Sequence, residues 1–98
     1  MTIREEWNGD ILTVIPEGRI DTLTSRDLEK FLYDRYDRAQ KLILEFAGVE
    51  YISSAGLRVL VQAYKRMKDK DGIVIRNVCE DVMQVFTLTG YNHVIRIE

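Results

Sequence analysis

Apolar positions near the start of the chain follow the spacing of two short strands. Residues 3–7 and 11–15 are β-prone runs. The Asn-Gly pair at 8–9 suits a two-residue hairpin turn, because this dipeptide tolerates positive φ. Pro16 has no N–H to donate to a sheet and Gly18 interrupts regular structure, so the second strand is predicted to fade there. The chain therefore opens with an antiparallel hairpin.

Helical spacing begins at residue 24 and returns after a central strand. Thr22 or Thr24 is available to accept the first free backbone amides of helix one. Residues 41–47 are almost continuously apolar, which is typical of a strand covered on both faces. A short loop is predicted at 48–52, and helix two follows it. The apolar positions of helix two recur at helical intervals and are Leu57, Leu60, Val61, Tyr64 and Met67.

The last third of the chain adds two strands and a helix. Residues 73–78 favour a strand, residues 80–81 place negative charge in the first turn of helix three, and Gly90 ends that helix. Residues 93–97 alternate well enough for a last strand. The order ββαβαβαβ predicts an α/β fold with a mostly parallel sheet, an antiparallel N-terminal hairpin and a single domain over residues 1–98.

Composition limits the classes of function. The 98 residues include 14 basic and 16 acidic ones, and the net charge of −2 has the wrong sign for a domain that neutralises phosphates. Nucleic acid is therefore not an expected partner. Cys79 is the only cysteine, which excludes an internal disulfide and favours a reducing, cytoplasmic location. No apolar run is long enough to span a membrane or to form a signal peptide, so no membrane insertion is expected.

Residues that could support catalysis are sparse. His93 is the only histidine, and one histidine with one cysteine cannot supply the usual zinc-ligand sets. The glycines are too widely spaced for a dinucleotide fingerprint or a P-loop. We expect no catalytic residue, no metal and no cofactor, and we do not expect an enzyme.

Two surface features favour structural explanations over binding. The basic cluster at 65–70 is interrupted by aspartate, and cations near a helix C-terminus interact favourably with the helix dipole, so a solvated face is favoured over a binding patch. Tyr33 and Tyr36 lie near the end of helix one. At their spacing, packing in the core or at its boundary is favoured over a role as interface anchors.

The junction between the central strand and helix two is less easily explained. Ser-Ser-Ala-Gly at 53–56 precedes Leu57, in the position where open α/β sheets present their sites. An N-cap explains one serine, but a glycine in the first turn costs up to about 1 kcal/mol relative to alanine. Close approach by another backbone is one reason for it. A hydroxyl here can also accept a phosphoryl group, because a helix N-terminus tolerates a dianion.

The same junction resembles the signature of STAS domains, the small bacterial anti-sigma factor antagonists. Residues 51–57 read Tyr-Ile-Ser-Ser-Ala-Gly-Leu, and the family motif commonly runs Asp-Ser-(Ser, Thr or Ala)-Gly-Leu. Residues 18–21 are similar to the family's Gly-x-Leu-Asp before its first helix, residues 42–46 to its central strand, and residues 86–90 to the end of its third helix.

This resemblance implies a regulatory function. An unmodified antagonist of this family binds an anti-sigma factor that is a serine-protein kinase and frees the sigma factor, whereas phosphorylation within the motif abolishes the binding. The alignment implies Ser54 as the acceptor, with Ser53 as the second candidate. Ala55 stands where several members carry Ser or Thr, and Ser53 replaces the usual Asp. The partner-binding surface implied by the resemblance comprises Asp21, Ser53, Ser54, Ala55, Gly56, Leu57 and Arg58.

Two other functions stay open. One is a STAS scaffold or regulatory subunit without phosphorylation, for example of a lipid-transport ATPase, and Ser53 and Ala55 favour it. The other is a small nucleotide binder, which only the anion-tolerant junction and the nearby Asp21 suggest. The oligomeric state is not predicted.

Overall fold

A mixed sheet of six strands organises the chain, and the computed structural model describes all of residues 1–98. In chain order, the elements are β1 (Thr2–Asn8), β2 (Ile11–Ile20), α1 (Thr24–Tyr33), β3 (Lys41–Glu45), β4 (Val49–Ile52), α2 (Ser54–Met67), β5 (Ile73–Arg76), α3 (Glu80–Thr89), a 3-10 turn (Tyr91–His93) and β6 (Arg96–Ile97).

The sheet has the predicted α/β topology. Its strand order is β1-β2-β3-β5-β6, and β4 pairs with β2 away from this path. β1 and β2 form the antiparallel hairpin, and every other pair is parallel. Gly9 in the hairpin turn has φ 63°, as the Asn-Gly pair predicts. β5 ends two residues earlier than predicted, and the next residue, Asn77, has φ 56°.

β2 continues to its full length through Pro16, so the prediction that it fades there is wrong. β2 pairs with β3 only as far as Val14, and with β4 only from Gly18 onward. The amide of Gly18 donates to the Gly48 carbonyl at 2.8 Å. The backbone nitrogen two residues earlier belongs to Pro16 and points to the same side of the strand, between the ends of the two partners. The proline therefore removes no ladder hydrogen bond.

The segment predicted as a loop at 48–52 contains strand β4. Val49 and Ile52 are buried while the two residues between them are exposed, so the burial pattern lacks the alternation that identifies a strand in a sequence. β4 pairs with the far half of β2, where the register shifts next to Gly18. The strand depends on this long-range pairing and not on local pattern.

The end of the chain also differs from the prediction. α3 ends at Gly90, as predicted, with φ 77°. A strand was expected at 93–97, but Tyr91–His93 form a 3-10 turn and only Arg96–Ile97 pair with β5. The left-handed glycine leads directly into this turn, in which the amide of His93 donates back to the Gly90 carbonyl at 3.0 Å.

The core lies between the sheet and its helices. Twenty-two buried residues form one apolar cluster, to which α1 contributes Leu28 and Leu32 and α2 contributes Leu60 and Ala63. α1 and α2 pack against each other, and α3 packs against β4. The exposed positions of α2 lie on the face opposite its apolar stripe, as its periodicity predicts. No helix combines the length and the apolar character that crossing a membrane requires.

Candidate functional site

Two helices begin side by side at one edge of the sheet. β2 and β4 are parallel and end together, since Ile20 pairs with Ile52. The amide of Ser53 donates to the Ile20 carbonyl at 2.8 Å, which holds the two strand ends together. Asp21 follows β2 into α1, and Ser53 follows β4 into α2. The topology therefore brings together the two parts of the chain in which site residues were predicted.

Asp21 caps the start of α1. Its Oδ1 accepts the amides of Leu23 at 3.0 Å and Thr24 at 2.9 Å, and its carbonyl accepts the amide of Ser25 at 2.9 Å. The prediction that Thr22 or Thr24 accepts the first amides of helix one is wrong. Thr24 Oγ1 instead accepts the amide of Asp21 at 2.8 Å and donates to the Arg19 carbonyl at 2.6 Å. The two side chains form a reciprocal cap.

These hydrogen bonds stabilise the ionised form of Asp21. The backbone amide and then the hydroxyl of Thr24 contribute most to lowering the pKa of the Asp21 carboxyl, with smaller contributions from the Leu23 amide and the charge of Arg19. The turn also directs Leu23 outward, where 71% of the residue is exposed. Asp21 is half-buried, and one of its two carboxylate oxygens, Oδ1, already accepts two of the chain's own amides.

Ser53 and Ser54 have different roles, and the sequence alone did not show which serine caps the helix. Ser53 is the N-cap of α2, and its Oγ accepts the amide of Gly56 at 3.2 Å. Ser54 is the first residue of the helix and is exposed, and none of the chain's hydrogen bonds involves its hydroxyl. One serine therefore serves the fold, and the other presents a free hydroxyl to solvent.

Gly56 is required by the chain's own side chains. A Cβ at this position would lie 2.6 Å from Cγ2 of Ile20 and 2.7 Å from Cγ1 of Ile52. The close approach expected here thus comes from the two buried strand ends, and no visiting backbone is needed to explain the glycine. Leu57 is also buried. Of the predicted surface residues, Gly56 and Leu57 lie beneath the surface.

The remaining predicted residues lie at the surface with residues that the sequence reasoning missed. A hollow of about 210 Å³ separates the first turns of α1 and α2, and Ala55 and Arg58 line it from α2. Thr22, Arg26 and Glu29 line it from the α1 side. The spacing of these three at i, i+4 and i+7 indicates one face of α1, but only the pairing of α1 with α2 shows which face borders the site.

The site has no features of a metal centre. No group of three or more His, Cys, Asp or Glu side chains lies in positions that could hold a metal ion. The charged side chains that line the hollow are those of Arg26, Glu29 and Arg58. The carboxylate of Asp21 has part of its acceptor capacity used in the cap. The geometry presents the free hydroxyl of Ser54 near a small hollow between the two helix starts.

Comparison of sequences identifies relatives along most of the chain. The family model described as STAS domain matches residues 3–98. The chain is 25% identical over 97 residues to the anti-sigma-B factor antagonist of Listeria monocytogenes, covering 96% of this chain and 84% of that protein. It is 29% identical over 77 residues to BtrV of Bordetella bronchiseptica, covering 76% of this chain and 66% of BtrV, which is slightly less than two thirds of that protein.

Comparison of structures shows the same fold at lower identity. An anti-sigma factor antagonist from Mycobacterium paratuberculosis superposes with a TM-score of 0.90 at 23% identity, covering 98% of this chain and 83% of that one. The phosphorylated form of the Bacillus cell fate determinant SpoIIAA superposes with a TM-score of 0.77 at 12% identity, covering 99% of this chain and 91% of that one. At these identities the likeness establishes the fold.

Proposed function

Because this chain belongs to the STAS domain family, we propose that it is an anti-sigma factor antagonist. In this function it binds an anti-sigma factor and thereby releases a sigma factor for transcription. The name of the Listeria relative, which matches along nearly the whole chain, supports this choice. A cytoplasmic location, which the single cysteine predicts, is consistent with a partner that acts on transcription.

The proposed docking surface is the exposed part of the two adjacent helix starts. It consists of Ser54, Ala55 and Arg58 on α2, with Asp21 and Ser53 at its edge. Gly56 and Leu57 support this surface from below. Arg58 is exposed and forms no ion pair within the chain, so its charge is available to a partner. Asp21 contributes mainly as a positioning residue, because its carboxylate holds the turn that presents Leu23.

The free hydroxyl of Ser54 is the observation that carries the regulatory part of the proposal. Ala55 has no hydroxyl, and the oxygen of Ser53 accepts the amide of Gly56. Ser54 is thus the best placed acceptor at the junction for a kinase partner. The Bacillus neighbour with this fold, which was solved in a phosphorylated form, supports a switch of this kind.

Phosphoryl transfer would be catalysed by the partner. Ser54 Oγ forms a bond to the γ-phosphorus of ATP, the bond from that phosphorus to the bridging oxygen breaks, and ADP leaves. The hydroxyl proton passes to a base of the kinase. The chain supplies the acceptor and its position at the first turn of α2.

The added phosphate acts on binding more than on the fold. It carries about −1.5 to −2 charges, which the N-terminal end of a helix stabilises. A partner that must exclude water from the same surface loses affinity, and each 1.4 kcal/mol is about a tenfold change. Phosphorylation would therefore release the partner without a large conformational change.

The test combines phosphorylation and binding. The chain is incubated with ATP and each purified serine-kinase anti-sigma factor of its host, and the modified residue is located by mass spectrometry. We expect phosphate on Ser54, none in Ser54→Ala, and retention in Ser53→Ala, the matched control. Ser54→Asp should bind at least tenfold more weakly than the unmodified chain. Phosphate on another residue would refute the assignment of Ser54, and no binding to any of these factors would refute the function.

A second candidate is a STAS regulatory subunit without phosphorylation, for example of a lipid-transport ATPase. Two sequence departures favour it: Ala55 removes one hydroxyl, and Ser53 places a capping hydroxyl where the family usually has a carboxylate. An affinity capture that recovers a transport ATPase and no serine-kinase anti-sigma factor would favour this candidate. In that case Ser54→Asp would still weaken binding, but Ser54 would carry no phosphate in cells.

A further inference from the structure

A second hollow lies farther along the seam between α1 and α2. It measures about 550 Å³ and is lined by Lys30 and Tyr33 of α1 and by Gln62 and Lys65 of α2, among others. Glu29 lines both this hollow and the smaller one at the helix starts. The two hollows therefore adjoin at Glu29, and together they are called the α1–α2 groove. The ten residues of α1, which runs beside the groove, span about 15 Å, and a surface of this length suits an extended ligand such as a protein segment.

The far half of this groove has an aromatic wall. Tyr36 is 6% exposed and packs into the core, as the sequence analysis favours for both tyrosines, but Tyr33 is 66% exposed. The guanidinium carbon of Arg66 lies 4.6 Å from the ring centroid of Tyr36 and 5.5 Å from that of Tyr33. Arg66 thus helps to fix two neighbouring rings, and the outer one stays open to an apolar side chain from outside.

The groove is positively charged although the chain is not. Its cationic lining residues are Arg26, Lys30, Arg58, Lys65 and Arg66. Glu29 is the one carboxylate among the lining residues, and Asp37, which is fully exposed, lies 3.7 Å from Arg66. The net charge of the whole chain is −2. The cations are thus concentrated on this surface against the overall balance, which favours an acidic ligand.

The basic cluster of the sequence divides accordingly. Lys65 and Arg66 line the groove, whereas Lys68 is exposed but does not. Lys70 is used by the fold, since its Nζ donates to the carbonyls of Tyr36 at 2.6 Å and Ala39 at 2.9 Å. The solvated-face interpretation therefore fits only part of the cluster.

We propose that the α1–α2 groove binds an acidic segment of the anti-sigma factor, with an apolar side chain of that segment packed against Tyr33. This inference rests on the proposed function and extends its contact surface from the helix starts to Arg66. The acidic segment would lie along the seam and pass Ala55 and Arg58 at the end where the two helices begin. Electrostatic complementarity would speed association and fix the orientation of the partner at Ser54.

The test compares matched pairs of variants in binding to the purified anti-sigma factor. Lys65→Glu changes a groove cation, and Lys68→Glu makes the same change of charge on the same helix outside the groove. We expect about tenfold weaker binding for Lys65→Glu, with a reduced dependence of the association rate on salt, and less than a twofold change for Lys68→Glu. Tyr33→Ala should also weaken binding about tenfold, whereas Leu88→Ala, which truncates an exposed apolar residue of α3, should not.

The outcomes distinguish a failure of the proposed groove from a failure of the proposed function. Equal affinities for Lys65→Glu and Lys68→Glu, in a chain whose binding Ser54→Asp still weakens at least tenfold, would overturn the groove and leave the proposed function standing. No binding of the unmodified chain to any anti-sigma factor would overturn both. If Lys65→Glu instead disrupts only self-association, measured by sedimentation, the occupant is a second copy and the proposal is wrong. Unfolding curves of all variants check that each one folds.

Discussion

The two helix starts at the site use the same strand-to-helix junction but differ in how completely they are capped. At α1, the Asp21 side chain accepts two amides, its carbonyl accepts a third, and Thr24 Oγ1 accepts the amide of Asp21. At α2, the Ser53 side chain accepts only one amide, that of Gly56, at 3.2 Å, and the Ser53 carbonyl accepts the amide of Leu57 at 2.9 Å. The first helix start is closed by the chain itself, and the second keeps an open polar end with an exposed hydroxyl at Ser54.

The two helix starts therefore suit different roles: the start of α1 positions the chain, and the start of α2 can accept an added negative charge. A carboxylate already neutralises the positive end of α1, so a second anion gains little there. The N-terminus of α2 has no acidic residue in its first turn. A phosphate on Ser54 would therefore interact with a helix dipole that no acidic residue in the first turn of α2 compensates. The four variants below test this contrast, beginning with the largest expected change in the free energy of unfolding.

Gly56→Ala tests whether the open start of α2 is built on a tightly packed base. The new Cβ would lie 2.6 Å from Ile20 and 2.7 Å from Ile52, so both side chains or the helix must shift. Overpacking costs about 1–3 kcal/mol, and the better helix propensity of alanine returns up to about 1 kcal/mol. We expect a net loss of about 1–2 kcal/mol in urea unfolding. Ser54→Ala, an exposed change in the same turn, should stay within about 0.5 kcal/mol.

An unchanged or increased stability of Gly56→Ala would show that the strand ends can move apart. The glycine would then require another explanation, such as close approach by a partner backbone. That outcome would make Gly56 part of the docking surface and not a residue that supports it from below.

Asp21→Ala tests the closed start of α1. We expect the next largest loss of stability at neutral pH, because two amides lose their acceptor. The pKa of Asp21 is lowered in the folded chain. Its ionic contribution is therefore fully present above the ordinary aspartate pKa of about 3.9 and is lost as the pH falls through the lower folded value. The difference between the unmodified chain and Asp21→Ala should shrink over that range in urea unfolding.

Asp21→Asn is the matched control, because asparagine also caps helices but does not titrate. It should recover much of the stability at neutral pH, and this position should contribute no pH dependence as the pH falls below the ordinary aspartate pKa of about 3.9. If Asp21→Asn and Asp21→Ala were equally destabilised at every pH, the charge and not the cap would hold this turn.

Ser53→Ala tests the single cap of α2. The amide of Gly56 would lose its only side-chain acceptor, at a cost of about 1 kcal/mol in the free energy of unfolding. Ser53→Asn, which keeps a capping oxygen, should recover most of this loss. A larger loss from Ser53→Ala than from Asp21→Ala would reverse the ranking of the two starts and contradict the contrast drawn here.

Local sequence pattern is sufficient to predict the elements that do not depend on pairing with a distant strand. The stripe of α2 and the end of α3 at Gly90 follow from side-chain spacing and from a glycine that adopts positive φ. β4 could not be predicted in this way, because Val49 and Ile52 are separated by two exposed residues and the strand exists through its pairing with β2. The short β6 likewise depends on β5.

The sequence locates the candidate site in outline, but it does not assign the structural roles of the residues there. The motif located the junction, but the assignment of the cap to Ser53 depends on one hydrogen bond to Gly56. The reason for the glycine lies in Ile20, which is distant in sequence. Arg26 enters the site only because α1 packs beside α2. The side-by-side placement of the two helix starts results from tertiary packing, so the residue pattern within either helix cannot predict it.

Ser54→Asp has the smallest expected effect on stability and makes the sharpest distinction, since stability and binding should change in opposite directions. A carboxylate in the first turn of α2 meets the dipole that no acidic residue there compensates, so the free energy of unfolding should rise by about 0.3–1 kcal/mol at low ionic strength. The rise should decrease with added salt. Ser54→Asn has a similar size and no charge, and it should change neither quantity as much.

Binding of the Ser54→Asp variant to the anti-sigma factor should fall even though its fold is more stable. A variant that lost binding together with stability would have lost its surface by unfolding, and the electrostatic explanation would fail. A variant that gained stability and kept full affinity would show that the open start of α2 is a structural feature outside the interface. Only the combination of a more stable helix and a weaker complex fits a helix start that carries a single neutral cap, so that a charge placed there acts on the partner.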